Sequence, residues 1–231
     1  KSLVLIFIVF VIAYIFADNI YDFLVQPYAH AVAGESGRRL IFTALHETFF
    51  TYLKVALFAS IFISLPFILM QIWIFVAPGL YKNEKSVVIP YLIATPVLFL
   101  LGAALVYFFI MPLAIKFFLS FESIGGQGSL PIQLEAKVNE YLSLVIRLIF
   151  AFGISFQLPV LLTLLARVSL VSSDGLRNNR KYVIVGVFII AAIITPPDPI
   201  SQIGLGIPIL LLYEISILAV KYIESKRTKP N

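Results

Sequence analysis

Residues 86–115 read SVVIPYLIATPVLFLLGAALVYFFIMPLAI, and none of these residues is charged. An α-helix needs about 20 mostly apolar residues to cross the hydrocarbon layer of a bilayer, so this run can form a complete span. The rest of the chain is similar, because 61% of its 231 residues are hydrophobic and only 13% are charged. Soluble domains carry about 25% charged residues. The composition therefore predicts an all-α integral membrane protein whose surface is largely covered by lipid.

Charged residues separate the apolar runs and divide the chain into six predicted spans. These spans lie at about 2–26, 55–79, 87–113, 141–166, 182–196 and 201–220. Two longer connections, at about 27–51 and 116–140, are predicted to be external loops. The uncharged part of span five can form only about 24 Å of helix, whereas the hydrocarbon layer is about 30 Å thick. Spans five and six are thus predicted to be short and to lie in a locally thinned bilayer, within a single transmembrane domain of residues 1–231.

Basic residues predict the orientation of the chain. If the amino terminus is inside, most of the 17 Lys and Arg residues fall in cytoplasmic segments, as the positive-inside rule requires. Both termini are then cytoplasmic, which agrees with an even number of spans. The same basic residues are spread over several inner connections, so they indicate topology and do not predict nucleic-acid binding.

The residue types present argue against several kinds of catalytic or metal site. The chain has no Cys and only two His, so neither a metal site nor another cofactor is expected. Intramembrane proteolysis needs Asp residues on facing spans, a Ser-His pair or a His-Glu-x-x-His zinc site. Asp18 and Asp22 lie on the same span, and His46-Glu47 continues as Thr-Phe-Phe. The sequence therefore does not predict an enzyme.

A few polar side chains lie within the apolar runs, where ionisable groups are costly and often functional. Glu214 in span six is either a carboxyl near the inner interface or a polar contact for an entering peptide or a partner helix. Gln157 in span four is either an interhelical hydrogen-bonding group or part of the same contact surface. Thr195, Asp198 and Gln202 lie at the tip between spans five and six, where Asp198 is also placed to cap the last helix.

The segment that follows span two places a carboxylate beside an aromatic surface. Pro78-Gly79 predicts the end of the helix, and Trp73, Phe75 and Tyr81 are expected at the level of the inner headgroups. Glu84 comes next, among lysines. It is either a solvated loop charge or a group that pairs bidentately with a guanidinium while the aromatic surface accepts an adjoining apolar segment.

Several motifs, taken together and in order over nearly the whole chain, resemble the TatC family, the signal-peptide receptor and core subunit of the twin-arginine protein translocase. The motifs are Q-x-W-x-F-x-x-P-G-L-Y-x-x-E at 71–84, F-G-x-x-F-x-x-P at 152–159, R-x-x-R-x-Y at 177–182, I-T-P-P-D-x-x-S-Q at 194–202, L-Y-E at 212–214 and E-x-F at 47–49. The resemblance implies six helices in a cup-like bundle in the bacterial cytoplasmic (inner) membrane. It also implies binding of the twin-arginine signal peptides of folded cargo, and export driven by the proton-motive force.

The resemblance further implies partners and site residues. The partners are single-span TatA-type and TatB-type subunits, other TatC copies and the lipid bilayer. The residues expected to bind the signal peptide are Phe75, Pro78, Leu80, Tyr81 and Glu84. The residues expected to contact the signal peptide or partner helices within the membrane are Gln157, Thr195, Asp198, Gln202 and Glu214. The residues expected to act in the first external loop are Glu47, Phe49 and Lys54.

Two departures from the family pattern affect these expectations. The family's second acidic contributor lies in an N-terminal His-Leu-x-Glu-Leu-Arg segment that this sequence lacks, so the binding site is expected to be incomplete as given. Many members carry Glu where this chain has Gln157, so a titrating carboxyl at that position is not expected to be essential here.

A proton-coupled secondary transporter of a small solute is the competing hypothesis. Such a transporter needs convergent charges near the middle of the membrane, or broken helices in paired positions. Only Glu214 and Gln157 are candidates for those groups.

Overall fold

The computed structural model describes residues 2–33, 38–80, 85–123, 125, 130–195 and 198–228, and it describes their side chains except at 72–80, 85–89, 200 and 227–228. Within these residues the secondary structure is helical apart from two isolated β-bridges. The helices are α1 (Ser2–Ile15), α2 (Ala17–Ala31), α3 (Glu47–Leu80), α4 (Lys85–Leu105), a π-helical turn (Val106–Ile110), α5 (Met111–Leu119), α6 (Val138–Ser155), α7 (Leu158–Arg167), α8 (Ser173–Asn178), α9 (Arg180–Ile194) and α10 (Pro199–Thr228).

Four helical stretches in the described part of the chain are long and apolar enough to cross a membrane. They are Glu47–Gln71, Pro90–Leu119, Val138–Arg167 and Ser201–Lys226. The bent pair α1 and α2 is a fifth candidate, and α9 has 15 residues, which rise about 22 Å. The all-α membrane class is therefore confirmed. The six-span count, the span boundaries, the single domain and the cytoplasmic termini stay predictions.

The first apolar run differs from one straight span, because α1 and α2 meet at Phe16 with a bend of 78°. No proline or glycine stands at this bend. Instead, Phe10 and Ile20, one on each side of Phe16, pack against a small buried cluster that contains Ala56 and Ala59 of α3. The bend therefore lets both halves of the run reach the same small-residue surface, which the apolar pattern alone could not reveal.

The chain divides into two compact units, of which the first comprises Lys1–Phe67 and Ala104–Ile149. Two tyrosines fix the backbone of α2 within this unit. The Tyr107 hydroxyl donates to the carbonyl oxygen of Phe23 at 2.7 Å, and its ring stacks on the Phe23 ring at 4.5 Å. The Tyr141 hydroxyl of α6 donates to the carbonyl oxygen of Leu24 at 3.1 Å. Both bonds satisfy tyrosine hydroxyls within an otherwise apolar core.

The π-helical turn that carries Tyr107 has a simple cause. Pro112 has no backbone N–H, and in a regular α-helix its ring would clash with the carbonyl of Phe108 four residues earlier. The N–H of Met111 bonds instead to the carbonyl oxygen of Val106, five residues earlier. The wider turn relieves the clash and inserts an extra residue into the helix.

An ion pair ties the two predicted external loops together within the first unit. Arg38 makes a bidentate salt bridge to Glu122, with side chains only 9% and 19% exposed. The Glu122 carboxylate also accepts the backbone N–H of Leu134 at 2.6 Å. Nearby, the backbone of Ile41 accepts from Val138 at 2.9 Å and donates to Ala136 at 3.1 Å.

Replacing Glu122 by Gln should change the stability of the loops in a pH-dependent way. The hydrogen bonds from Arg38 and from the Leu134 N–H lower the pKa of Glu122 from 4.5 to about 2. Because the pKa is lower in the folded state, the contribution is complete above pH 4.5 and is lost as the pH falls towards 2. The unfolding temperature of Glu122→Gln should therefore be lower than that of wild type at pH 6, and the two temperatures should converge at low pH. A constant difference at all pH values, or a similar profile for Glu135→Gln, would contradict the assignment.

The second unit comprises Ile68–Ala103 and Phe150–Asn231. Its core cluster joins α7, α8 and α10 through Ala166, Leu176 and Tyr213, together with Ile217 and Val220. The Tyr213 hydroxyl donates to the carbonyl oxygen of Leu176 at 2.8 Å. This unit therefore contains the hairpin of α9 and α10 and the polar residues near it.

Candidate functional site

The predicted signal-peptide site lies largely outside the described residues. Tyr81 and Glu84 are not described, and at Phe75, Pro78 and Leu80 only the helical backbone is described. The described part of α3 runs through the Pro-Gly pair to Leu80, and residues 81–84 are not described, so the helix end expected at Pro78-Gly79 stays a prediction. The pairing of Glu84 with a guanidinium therefore stays a prediction.

Gln157 acts as an interhelical hydrogen-bonding group in the second unit. It lies at the break between α6 and α7, where Pro159 cannot donate a backbone hydrogen bond. Its side-chain Nε2 donates to the carbonyl oxygen of Thr95 on α4 at 3.0 Å. This bond bears out the interhelical role of Gln157, and its predicted contact with a signal peptide or a partner helix stays a prediction. An ionised carboxylate could not make this bond, since it only accepts hydrogen bonds.

Glu214 pairs with an arginine that sequence reasoning did not assign to it. Its Oε2 lies 2.6 Å from Nη2 of Arg180, and the two side chains are 48% and 47% exposed. Arg180 is the first residue of α9, so Glu214 lies level with a helix end and not with the middle of α9. Arg180 could have been singled out from the sequence, because it is the second arginine of the R-x-x-R-x-Y motif.

The tip before α10 holds two buried polar residues. Asp198 is 5% exposed, and its Oδ1 accepts the backbone N–H of Ser201 at 2.7 Å, which confirms the predicted cap of α10. Its Oδ2 is buried without a hydrogen-bond partner among the described residues. The Thr195 hydroxyl donates to the carbonyl oxygen of Ala191 at 2.8 Å and is also buried. Gln202 is partly exposed in the first turn of α10.

The external-loop residues divide into two groups. Glu47 accepts the backbone N–H of Thr43 at 2.8 Å and so stabilises the start of α3. Lys54 donates to Asn139 Oδ1 at 2.5 Å and to Ser143 Oγ at 2.9 Å, which joins α3 to α6. Phe49, in contrast, is 55% exposed. Glu47 and Lys54 are therefore part of the packing between α3, α6 and the loop, whereas Phe49 is free to contact lipid or another chain.

Most of the polar groups within the apolar helices are satisfied inside the fold. Gln157, Glu214 and Thr195 each have a protein partner. In the described part of the chain, no three His, Asp or Glu side chains come together as metal ligands. Three of the residues expected to contact a signal peptide or a partner helix are therefore already engaged within the chain.

Comparison with known proteins identifies relatives over nearly the whole chain. The family model of TatC, the Sec-independent protein translocase protein, matches residues 1–208. The TatC protein of Magnetococcus marinus is 49% identical over 220 residues, which cover 95% of this chain and 78% of that protein. The TatC protein of Escherichia coli K12 is 35% identical over 226 residues, which cover 98% and 84%. A crystal structure of the twin-arginine translocase receptor TatC matches with a TM-score of 0.80 and 37% identity, over 94% of this chain and 93% of that one.

Proposed function

The chain belongs to the TatC family of Sec-independent protein translocase proteins, and from this premise we propose that it is the receptor that binds the twin-arginine signal peptides of folded proteins. One observation carries the proposal. The family pattern at 71–84 begins at the last residue of the candidate membrane span Glu47–Gln71, and Glu84 is the acidic residue of that pattern. A carboxylate in that place can meet a peptide at the membrane surface.

The proposed recognition depends on the shape of the guanidinium group. Glu84 accepts two parallel hydrogen bonds from one arginine, while Phe75, Pro78, Leu80 and Tyr81 provide the apolar surface beside it. Lysine carries the same charge but lacks the planar fork, so it cannot make this bidentate contact. The site therefore distinguishes paired arginines from paired lysines.

The proposed assembly uses the tip between α9 and α10. The partly exposed Gln202 supports a polar contact there with a TatA-type or TatB-type single-span helix, and the buried, unpartnered Asp198 Oδ2 would join this contact only after the tip opens. Glu214 and Gln157 each already hold a partner within the chain, Arg180 and the Thr95 carbonyl oxygen, so a partner helix would add to these bonds or compete with them. We place the chain in the bacterial inner membrane with both termini cytoplasmic, where it works with further TatC copies and is driven by the proton-motive force.

Binding of an Arg-Arg signal peptide and of its Lys-Lys twin to the full-length protein in nanodiscs tests the proposal. The Arg-Arg peptide should bind about tenfold more tightly, and Glu84→Gln should remove about the same factor. Glu135→Gln, an external-loop change of the same chemistry, should leave binding unchanged. Equal affinity for the two peptides, or undiminished binding by Glu84→Gln, would overturn the proposed site.

A further inference from the structure

A cavity of about 450 Å³ opens in the first unit, beside α2, the π-helical turn and α5. Its walls include Gln26 and His30 of α2, Tyr107 and Phe108 of the π-helical turn, and Pro112 and Lys116 of α5. None of the residues that line it is acidic. The Tyr107 hydroxyl, whose proton points mainly at the Phe23 carbonyl oxygen, also lies 3.1 Å from Gln26 Oε1 in one wall of the cavity.

A lysine and a histidine side chain both line this cavity. Lys116 and His30 are both exposed, and in the described residues neither side chain has a hydrogen bond or an ion pair. Each lies in the last turn of its helix, where helix carbonyls favour a positive charge. This preference explains why a basic residue occurs at each helix end. It does not explain why both residues line one cavity that has no acidic residue.

The depth of the cavity is set by the ends of two candidate spans. His30 comes one residue before the end of the bent pair at Ala31, and Lys116 comes three residues before the end of the stretch Pro90–Leu119. Cationic side chains at the ends of membrane helices reach the level of the headgroups. Deeper than Lys116 along its helix the wall is apolar, since Phe108 is 65% exposed and lines the cavity beside Pro112.

We propose that this cavity binds an anionic phospholipid, with its phosphate held by Lys116 and His30 and its acyl chain lying against Phe108. The charge of the cavity and its depth in the membrane favour an anionic phospholipid over other ligands. A phosphate satisfies the two unpaired donors, and an acyl chain covers the aromatic wall next to them. A free phosphate matches only the polar half of the cavity, whereas a zwitterionic lipid brings a cation towards Lys116.

The test measures retention of phosphatidylglycerol by the delipidated full-length protein with native mass spectrometry, against phosphatidylcholine and inorganic phosphate. Phosphatidylglycerol should bind about tenfold more tightly than phosphatidylcholine, and the double variant His30→Gln/Lys116→Gln should lose that preference. Lys137→Gln, a loop cation outside this cavity, should keep it. Equal retention of the two lipids, or a preference that survives in the double variant, would overturn the proposal.

A second pair of variants separates the acyl-chain wall from charge alone. Phe108 and Phe109 are neighbours with 65% and 62% exposure, but only Phe108 lines the cavity. Phe108→Ala should shorten phosphatidylglycerol retention, and Phe109→Ala should not. Identical retention by both variants, or inorganic phosphate binding as tightly as the lipid, would reject the lipid as the occupant.

Discussion

Replacing Gly102 by Val should lower the free energy of unfolding by about 3 kcal/mol, because the site leaves no room for a side chain. A Cβ on Gly102 would lie 2.7 Å from the carbonyl oxygen of Phe152 and 3.0 Å from the backbone nitrogen of Gly153. These are backbone atoms of α6, so they cannot rotate away as the end of a side chain could. Close approach of helices through small residues is a common basis of packing in membranes.

Two other glycines provide matched controls for this prediction. A Cβ on Gly186 of α9 meets nothing within 4 Å, so Gly186→Val should change stability by less than about 1 kcal/mol. A Cβ on Gly206 meets the Phe188 ring at 2.9 Å, and that ring can move, so Gly206→Val should fall between the two. Unfolding in mixed micelles, titrated with SDS and followed by circular dichroism, ranks the three variants. If Gly102→Val were as stable as Gly186→Val, the close contact between α4 and α6 would be wrong.

Replacing Asp198 by Ala should destabilise the protein by about 2 kcal/mol through loss of the α10 cap. The Ser201 N–H that donates to Asp198 Oδ1 belongs to a residue that is only 1% exposed. Water therefore cannot easily replace the lost acceptor, and the buried N–H would be left unsatisfied. The start of α10 would fray, and the core contacts that follow along the helix would weaken.

Asp198→Asn separates the cap from any contact with a partner. Asparagine keeps an oxygen that can accept the Ser201 N–H, so its stability should stay within about 0.5 kcal/mol of wild type. It replaces the second carboxylate oxygen with an amide group, so crosslinking to a single-span partner helix should fall although folding is preserved. Equal SDS midpoints for Asp198→Ala and wild type would contradict the cap, whereas full crosslinking by Asp198→Asn would exclude a role for Oδ2.

The all-α membrane class could be predicted from the sequence because an uncharged run longer than 20 residues has no alternative in lipid. The 78° bend at Phe16 could not, because it follows from packing against Ala56 and Ala59 far along the chain. The π-helical turn could in principle be predicted, because Pro112 has no N–H to donate to the carbonyl oxygen of Phe108, four residues earlier. Features set by neighbouring residues could therefore be predicted from the sequence, whereas features set by contacts between distant residues could not.

The same division holds for the candidate site. The Asp198 cap depends on residues three positions apart, and the sequence was sufficient to predict it. The partner of Glu214 is 34 residues away at Arg180, so this pairing depends on how α9 and α10 meet. Gln157 could be placed in span four, but its acceptor on α4 depends on how two separate helices meet.

The brevity of α9 has an electrical consequence. A voltage across a membrane falls over the insulating hydrocarbon layer, and moving a charge through it does work in proportion to that voltage. Where lipid matches the 15 residues of α9, the same voltage acts over about 22 Å in place of about 30 Å, so the field is about one third stronger. A charge that moves through the bilayer beside this helix would therefore cross a steeper gradient than a charge that moves beside a full-length span.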